Sequence, residues 1–159
     1  MWKVGHSLMK AKLKEEKAQL AGEVSGHIFF ANRYYGYDDA IYAGARLLEI
    51  LSRTKKNLSE LLCDVPPTVT TPEIRIACED GIKFRVVQKL VERFKSDYQV
   101  IDIDGARVLF EGGWGLVRAS NTQPVLVLRF EAHDEKTLQR IRKTVERVVA
   151  SCVEEVEPR

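Results

Sequence analysis

Apolar residues recur at helical spacing in two stretches of the N-terminal part of the chain. The first, residues 7–16, is rich in lysine, and the second, residues 39–53, carries apolar side chains on one face: Ile41, Ala45, Leu48 and Leu51. Between them, residues 27–31 (HIFFA) have the composition of a buried strand. Two helices and one or two strands cannot close a sheet and cover both its faces, so we predict an incomplete α/β domain.

A segment rich in proline and threonine, CDVPPTVTTPE, separates this part from the rest of the chain. Proline fixes its own φ and disfavours the helical region for the residue before it, so the segment favours extended backbone. We therefore divide the chain into a first domain at 1–64, a linker at 65–72, a second domain at 73–153 and a tail at 154–159.

The second domain mixes the strand period with the helix period. Residues 73–78 alternate as a strand, whereas residues 81–95 repeat apolar side chains at helical spacing: Phe84, Val87, Val91 and Phe94. Four more strand patterns occupy residues 98–132, and a last helix follows its predicted N-cap, Asp134, with an apolar stripe: Leu138, Ile141, Val145 and Val148. The pattern predicts an α+β domain of one mainly antiparallel sheet with two helices on one face.

The charges of the chain nearly balance, because 25 basic and 23 acidic residues leave a net charge of +2. This small net charge argues against non-specific binding to nucleic acid or to a membrane, so any anion site must be local. The three cysteines lack the spacing of a zinc site, and we predict neither a disulfide framework nor a bound metal. No apolar run reaches the ~20 residues that span a bilayer, so we expect a cytoplasmic protein.

The segment RASNT, residues 118–122, interrupts the sheet pattern with an arginine and three small polar residues. Arg118 offers a planar charged fork to phosphate oxygens, and the polar side chains add hydrogen-bond donors: Ser120, Asn121 and Thr122. Successive backbone N–H groups of a turn can also converge on the anion. The alternative is a polar hairpin whose side chains satisfy their own backbone while the arginine is solvated or paired with an acid.

A second polar segment, GEVSGH, precedes the first predicted strand. Strand-like alternation would point Glu23, Ser25 and His27 the same way, and a carboxylate beside a hydroxyl is a good partner for vicinal sugar hydroxyls. The alternative is a glycine-rich turn that ends a strand.

Together the two segments resemble the phosphate-binding loop (Arg-x-Ser-Asn/Gly-Thr) and the sugar-binding loop (Gly-Glu-Met-Ser-Gly-His) of the α-D-phosphohexomutases, of the phosphomannomutase/phosphoglucomutase type. The resemblance implies that Arg118, Ser120, Asn121 and Thr122 bind phosphate. It implies that Glu23 and Ser25 bind ring hydroxyls, and that His27 contacts the ligand or assists proton transfer. Gln123 and Val24 depart from the Glu and Met usual in the family.

Two further segments are similar to the same family. The opening WKVGHS resembles its Trp-Lys-Thr-Gly-His-Ser segment, which makes His6 a candidate for ligand contact or proton transfer and Lys3 a candidate additional contact. The stretch RYYGYDDAIYAGARLLEIL also matches, and we interpret it as scaffold. Its tyrosines are expected to be packed and its two aspartates to cap a helix: Tyr34, Tyr35, Tyr37, Asp38 and Asp39.

The resemblance covers nearly the whole chain and places it at the end of the family's third domain, a three-layer α/β domain, and in its fourth, a TATA-binding-protein-like domain. Members interconvert hexose 1-phosphates and hexose 6-phosphates through a bisphosphate, using a phosphoserine and Mg²⁺. Sequences like those of the phosphoserine and Mg²⁺ loops are absent from residues 1–159, so we expect Mg²⁺ ligands outside this chain and no activity from the chain alone.

Two other functions stay open on the sequence: a stand-alone phosphosugar-binding module and a portion of a phosphoglucosamine mutase. In each case the expected ligand is a phosphorylated hexose, with no nucleic acid or membrane as a partner. We expect the chain to be a monomer or a weak dimer.

Overall fold

The computed structural model describes residues 1–156 and divides the chain into two units, Met1–Pro66 and Pro67–Arg159. The division falls within the predicted linker. Among the described residues, no helix combines the length and the apolar character that crossing a bilayer requires.

The first unit is built of short elements around a small hairpin. Its elements are helix α1 (His6–Glu15), strands β1 (Leu20–Gly22) and β2 (Ile28–Phe30), helix α2 (Ala40–Ser52) and a 3-10 turn (Leu58–Glu60). The two strands pair antiparallel. The helix α2 begins at Ala40 because the Asp39 carboxylate accepts a hydrogen bond of 2.8 Å from the Tyr42 backbone N–H, which satisfies a donor at the helix start.

The apolar face predicted for α2 has the right spacing, but no element of the first unit buries it. None of the side chains of α2 is buried, and Ile41 and Leu48 are 88% and 67% exposed. Among residues 1–66, the buried apolar side chains are Leu13 and Phe29. The sequence pattern therefore identifies the helix and its face, whereas it does not decide whether that face is buried within the unit.

The second unit is an antiparallel sheet covered on one face by two helices, as the sequence predicts. Its strands are β3 (Val69–Thr70), β4 (Ile74–Ala77), β5 (Gln99–Ile101), β6 (Ala106–Phe110), β7 (Gly113–Ala119) and β8 (Val125–Ala132). Its helices are α3 (Lys83–Lys95) and α4 (Glu135–Val156). The strands β5, β6, β7 and β8 are neighbours in that order, and β3 and β4 both pair with β8.

The core of this unit lies between the helices and alternate side chains of the central strands, in agreement with the period of two. The predicted helix faces need small corrections. Phe84 is 57% exposed: the buried stripe of α3 keeps the predicted Val87 and Phe94 but otherwise runs through Val86 and Leu90. In α4 the stripe continues through Val149 and Cys152, while Val148 is only partly buried.

Both ends of the second unit differ from the predicted boundaries. Thr71, in the predicted linker, is buried, and it donates its N–H to the Phe130 carbonyl (3.0 Å) and accepts the Phe130 N–H at its hydroxyl (3.1 Å). The extended backbone that the prolines favour thus continues into the sheet. At the other end, α4 runs to Val156, so the predicted tail is helical at 154–156; residues 157–159 lie outside the described part.

Candidate functional site

The predicted phosphate loop connects the ends of β7 and β8. Arg118 belongs to β7, where it pairs in register with Val127, and its side chain is partly buried. Ser120 is buried, whereas Asn121 and Thr122 are exposed. Within the described residues, the Arg118 guanidinium and the side chains of Asn121 and Thr122 make no hydrogen bond or ion pair. The loop therefore presents free donors beside a permanently charged group.

Ser120 organises the turn itself. Its hydroxyl oxygen accepts the N–H groups of Thr122 (3.3 Å) and Gln123 (3.2 Å), and its own N–H donates to the Val125 carbonyl (3.0 Å). The backbone donors therefore converge on the serine hydroxyl, as the hairpin alternative expects. The hydroxyl hydrogen of Ser120 is left available as a donor to a ligand, because the oxygen acts as the acceptor in both contacts.

Gln123 connects the loop to two other elements of the second unit. The buried Lys83 ammonium donates to the Gln123 carbonyl (3.0 Å) and to Asp80 (2.6 Å) at the start of α3. Arg75 of β4 donates to the Gln123 side-chain oxygen (2.5 Å). These residues were not predicted, because they are 40 and 48 residues away in sequence and only the fold brings them to the loop.

Four arginines lie on the face of the sheet opposite the helices. Register places Arg75 and Arg118 on either side of Val127, and Arg107 and Arg129 on either side of Leu116. These four arginines lie on one face because residues paired across antiparallel strands share a side. The Arg107 guanidinium stacks on the Trp114 ring, with 4.4 Å from the guanidinium carbon to the ring centroid. Neither Arg118 nor Arg129 has a polar partner for its guanidinium within residues 1–156.

Gly105, in the turn between β5 and β6, supports the base of Arg118. Its φ is +87°, and a Cβ placed there would lie 2.3 Å from the Val117 carbonyl oxygen and 2.7 Å from the Arg118 Cβ. Any other residue would be strained and would push against the strand that carries the arginine. The turn at Gly105 thus helps to set the position of Arg118.

In the first unit, the segment GEVSGH forms the turn between β1 and β2, with Gly26 at φ +93°. Because these residues form a turn, strand alternation does not apply to them. Glu23 and Ser25 nevertheless meet, since the Ser25 hydroxyl donates to Glu23 Oε2 (3.2 Å). Glu23 Oε1 accepts the Gly5 backbone N–H (3.3 Å), which holds the carboxylate against the start of α1.

His27 points to a different partner. Its Nδ1 is 2.5 Å from Asp38 Oδ2, and the other oxygen of Asp38 accepts the Ile28 N–H (3.2 Å). The His6 ring packs edge-on against His27, with 4.2 Å between the ring centroids, and His6 Nε2 lies 3.9 Å from Asp38 Oδ2. The hydrogen bond with His27, with a smaller contribution from the Ile28 N–H, lowers the pKa of Asp38 from its usual value. His6 and His27 are thus brought together as neighbours of one carboxylate.

Several predictions for this segment are wrong or gain no support. Asp38 does not cap α2; only Asp39 does, because Asp38 lies one residue too early and bonds the histidine instead. Tyr34 stacks on Tyr42, as expected for a packed residue, but Tyr35 is 84% exposed and Tyr37 is also exposed. Lys3 is exposed and contacts none of the other candidate residues among those described. Asp38 is the main functional candidate that the sequence reading missed.

A concavity of about 610 Å³ lies elsewhere in the first unit, between α1 and residues 31–37. Its lining includes neither of the two histidines nor Glu23, so it is separate from the candidate site. We assign it no role.

Comparison with known proteins tests the resemblance directly. Residues 1–69 match the model of the phosphoglucomutase/phosphomannomutase alpha/beta/alpha domain III, and residues 73–148 match that of the C-terminal domain of the same family. The chain belongs to the phosphoglucomutase/phosphomannomutase family. The family resemblance drawn from the two loops is therefore confirmed over both units.

Relatives in this family are much longer than the chain. A phosphomannomutase/phosphoglucomutase of Pseudomonas syringae is 52% identical over 89% of this chain but 31% of its own length, and a phosphoglucomutase of Neisseria meningitidis is 47% identical over 95% and 33%. A crystal structure of a phosphoglucomutase/phosphomannomutase family protein from Burkholderia thailandensis superposes with a TM-score of 0.79 at 46% identity, covering 96% of this chain and 32% of that one. The chain thus spans about a third of the length of these relatives.

Magnesium, the ion that the resemblance implies, does not fit the residues described. Within residues 1–156, one group of three metal-ligating side chains comes close together: His6, His27 and Asp38. Two of the three donors are imidazole nitrogens, whereas Mg²⁺ prefers oxygen ligands in octahedral geometry. We therefore derive no step through Mg²⁺ for this chain.

Proposed function

We propose that the chain is the substrate-recognition portion of a phosphohexomutase and that it binds a phosphorylated hexose. The observation that carries the proposal is the β7–β8 loop, where the partly buried Arg118 lacks a polar partner among the described residues beside the free side chains of Asn121 and Thr122. A charged, planar donor of this kind suits a phosphate, which can accept two hydrogen bonds from one guanidinium.

In the first unit, the proposed contacts are with the sugar ring. The Glu23 carboxylate can accept hydroxyl hydrogens, and Ser25, now bonded to Glu23, can rotate to donate to a ring oxygen. His27 is oriented by Asp38, so its second ring nitrogen is a candidate for proton exchange with a hydroxyl. His6 would contact the ligand beside it. If Glu23 and Ser25 bind hydroxyls that glucose and mannose share, the site would accept both sugars.

The whole protein is proposed to interconvert hexose 1-phosphate and hexose 6-phosphate through a bisphosphate. In that reaction Arg118 and its loop would hold the phosphate that is not transferred, and so use remote binding energy to align the reacting hydroxyl. Phosphoryl transfer also needs a phosphate donor and a cation that neutralises developing charge. The sequence offers neither group, so we predict that the chain alone has no mutase activity.

The three cysteines are free thiols, which suits the reducing cytoplasm proposed as the setting. A monomer or weak dimer remains the proposed state in solution.

The binding proposal is tested by NMR titration of the full chain with glucose 6-phosphate and mannose 1-phosphate. We expect shifts in residues 118–123 that Arg118→Ala weakens by about 10- to 100-fold, because hydrogen bonds to charged groups contribute about 1.5–3 kcal/mol. Arg85→Ala is the matched control, since Arg85 is an exposed arginine on the helix side of the sheet. Equal weakening by both variants, or shifts only outside the two loops, would contradict the proposal.

The same titration and a mutase assay separate the alternatives. Turnover of glucose 1-phosphate by the chain, purified free of host mutase, would overturn the predicted inactivity. Tighter binding of glucosamine 6-phosphate than of glucose 6-phosphate would favour a portion of a phosphoglucosamine mutase.

A further inference from the structure

Two histidines and a carboxylate converge from three separate elements of the first unit. His6 is the first residue of α1, His27 comes directly before β2, and Asp38 precedes α2. One ring nitrogen of each histidine and one oxygen of Asp38 lie within 4.8 Å of one another. Their side chains are 52%, 39% and 22% exposed, so the group opens to solvent while Asp38 remains the most enclosed of the three.

Contacts behind the group hold each member in place. Phe29, fully buried, packs edge-on against the His6 ring with 5.8 Å between centroids. Asp38 is fixed by the Ile28 N–H and by a β-bridge with Phe29, so β2, which directly follows His27, also positions the carboxylate. Three donors held this way lose little side-chain freedom when they bind an ion.

The donor set selects a class of ion. Imidazole nitrogen suits zinc, copper, nickel and iron, and two histidines with one carboxylate and open positions form a recurrent site for divalent transition metals. With ligands about 2.0–2.1 Å from the ion in a tetrahedral arrangement, donor atoms lie roughly 3.3 Å apart. The observed distances from Asp38 Oδ2, 2.5 Å to His27 and 3.9 Å to His6, fall on either side of that value.

We propose that His6, His27 and Asp38 bind a divalent transition-metal ion of the Zn²⁺ class, with the remaining coordination positions open to solvent. Metal binding replaces the hydrogen bond between His27 and Asp38. The separation of their two donor atoms must then increase by less than about 1 Å to reach the distance between ligands of one ion. The site differs in chemistry from the Mg²⁺ site that the family resemblance places outside this chain. It contrasts with the expectation from sequence that the chain holds no metal. An ion there would occupy the two histidines and so compete with a ligand that needs them.

The test is a titration of the metal-free full chain with Co²⁺, read by visible absorption, followed by competition with Zn²⁺ and with Mg²⁺. Every protein carries Cys63→Ser, because the exposed thiol of Cys63 would bind the same ions. We expect one equivalent of Co²⁺ to produce absorption bands that Zn²⁺ removes and Mg²⁺ does not. Absence of the bands would overturn the proposal.

Variants assign the ligands. His6→Ala and Asp38→Asn should each weaken Co²⁺ binding by at least about 10-fold, since even loss of an outer-shell partner costs this much. His133→Ala is the matched control, because His133 is exposed in the second unit and lies outside the group. Equal weakening by His133→Ala, or none by His6→Ala, contradicts the assignment.

A further measurement uses the chain with both ligand histidines intact, so its result does not depend on whether the variants fold. The imidazole ¹⁵N resonances of His6 and His27 should shift on addition of Zn²⁺, while those of His133 stay in place. Zn²⁺ that leaves the first two unmoved refutes the site. Arg118→Ala should not alter Co²⁺ binding, so the metal site and the proposed phosphate site can fail separately.

Discussion

The two units of the chain use similar sequence patterns with different results. In the second unit, apolar stripes of two helices meet the sheet in a core of 19 buried residues. In the first unit, α2 has an equally regular apolar stripe, yet the buried apolar side chains among the described residues are Leu13 and Phe29. Periodicity identifies the face of an element, whereas stability depends on what covers that face.

A matched pair of leucines tests this difference and should give the largest effect. Leu128→Ala, at a fully buried position of β8, should lower the free energy of unfolding of the second unit by about 2–5 kcal/mol through lost burial and a cavity. Leu48→Ala, on the exposed face of α2, should change the free energy of unfolding of the first unit by no more than about 0.5 kcal/mol. Urea titration followed by NMR peak intensities in each unit measures both.

A cost for Leu48→Ala close to that for Leu128→Ala would break the comparison. It would mean that the α2 face is covered in solution, and sedimentation analysis would then show whether a second copy covers it.

Two glycines extend the comparison to backbone strain. Gly105→Ala should destabilise the second unit by about 1–3 kcal/mol or more, because alanine is strained at φ +87° and its Cβ would meet the Val117 carbonyl. It should also weaken the proposed phosphate binding by displacing Arg118. Gly44→Ala, within α2 and with open space for an added Cβ, should stabilise that helix by up to about 1 kcal/mol. Thermal unfolding and the phosphosugar titration report the two effects, and unchanged phosphate binding in Gly105→Ala would refute the supporting role of this turn.

The smallest expected effect is the pH dependence that Glu155 gives to the stability of the second unit. Lys89 and Arg93 of α3 bond Glu155 of α4 and lower its pKa from 4.5 to about 2. A carboxyl whose pKa is depressed on folding contributes stability above its unfolded pKa, and that contribution is lost as pH falls through the window from about 4.5 to about 2. Glu155→Gln should therefore flatten the stability profile in this window, with little change in its shape above pH 6. The three side chains are partly exposed, so the effect should shrink in high salt.

The regular elements were predictable because their patterns are local. The alternation over 125–132 corresponds to β8 (Val125–Ala132), and the cap at Asp134 lies directly before α4, where its carboxylate accepts the Thr137 N–H. Phe84 shows the limit of the pattern: it lies at the edge of the apolar stripe of α3, and only the position of the sheet decides that it stays exposed.

The candidate site was predictable where one segment carries it. Arg118 and Ser120 stand in a recognisable loop, and so do Glu23 and Ser25. Asp38 was assigned to the helix start because aspartate before a helix is usually a cap. Its contacts with His27 and His6 join segments 11 and 32 residues away, a proximity that no local pattern in the sequence encodes.

The anchoring of Gln123 by Lys83 and Arg75 has a kinetic consequence for the loop. Because Lys83 and Arg75 hold the turn from within the second unit itself, we expect the proposed phosphate site to bind without a slow rearrangement. We expect the association rate to be limited by diffusion to the arginine-rich face and to fall as salt screens its charge. Changes in affinity should then appear mainly in the dissociation rate.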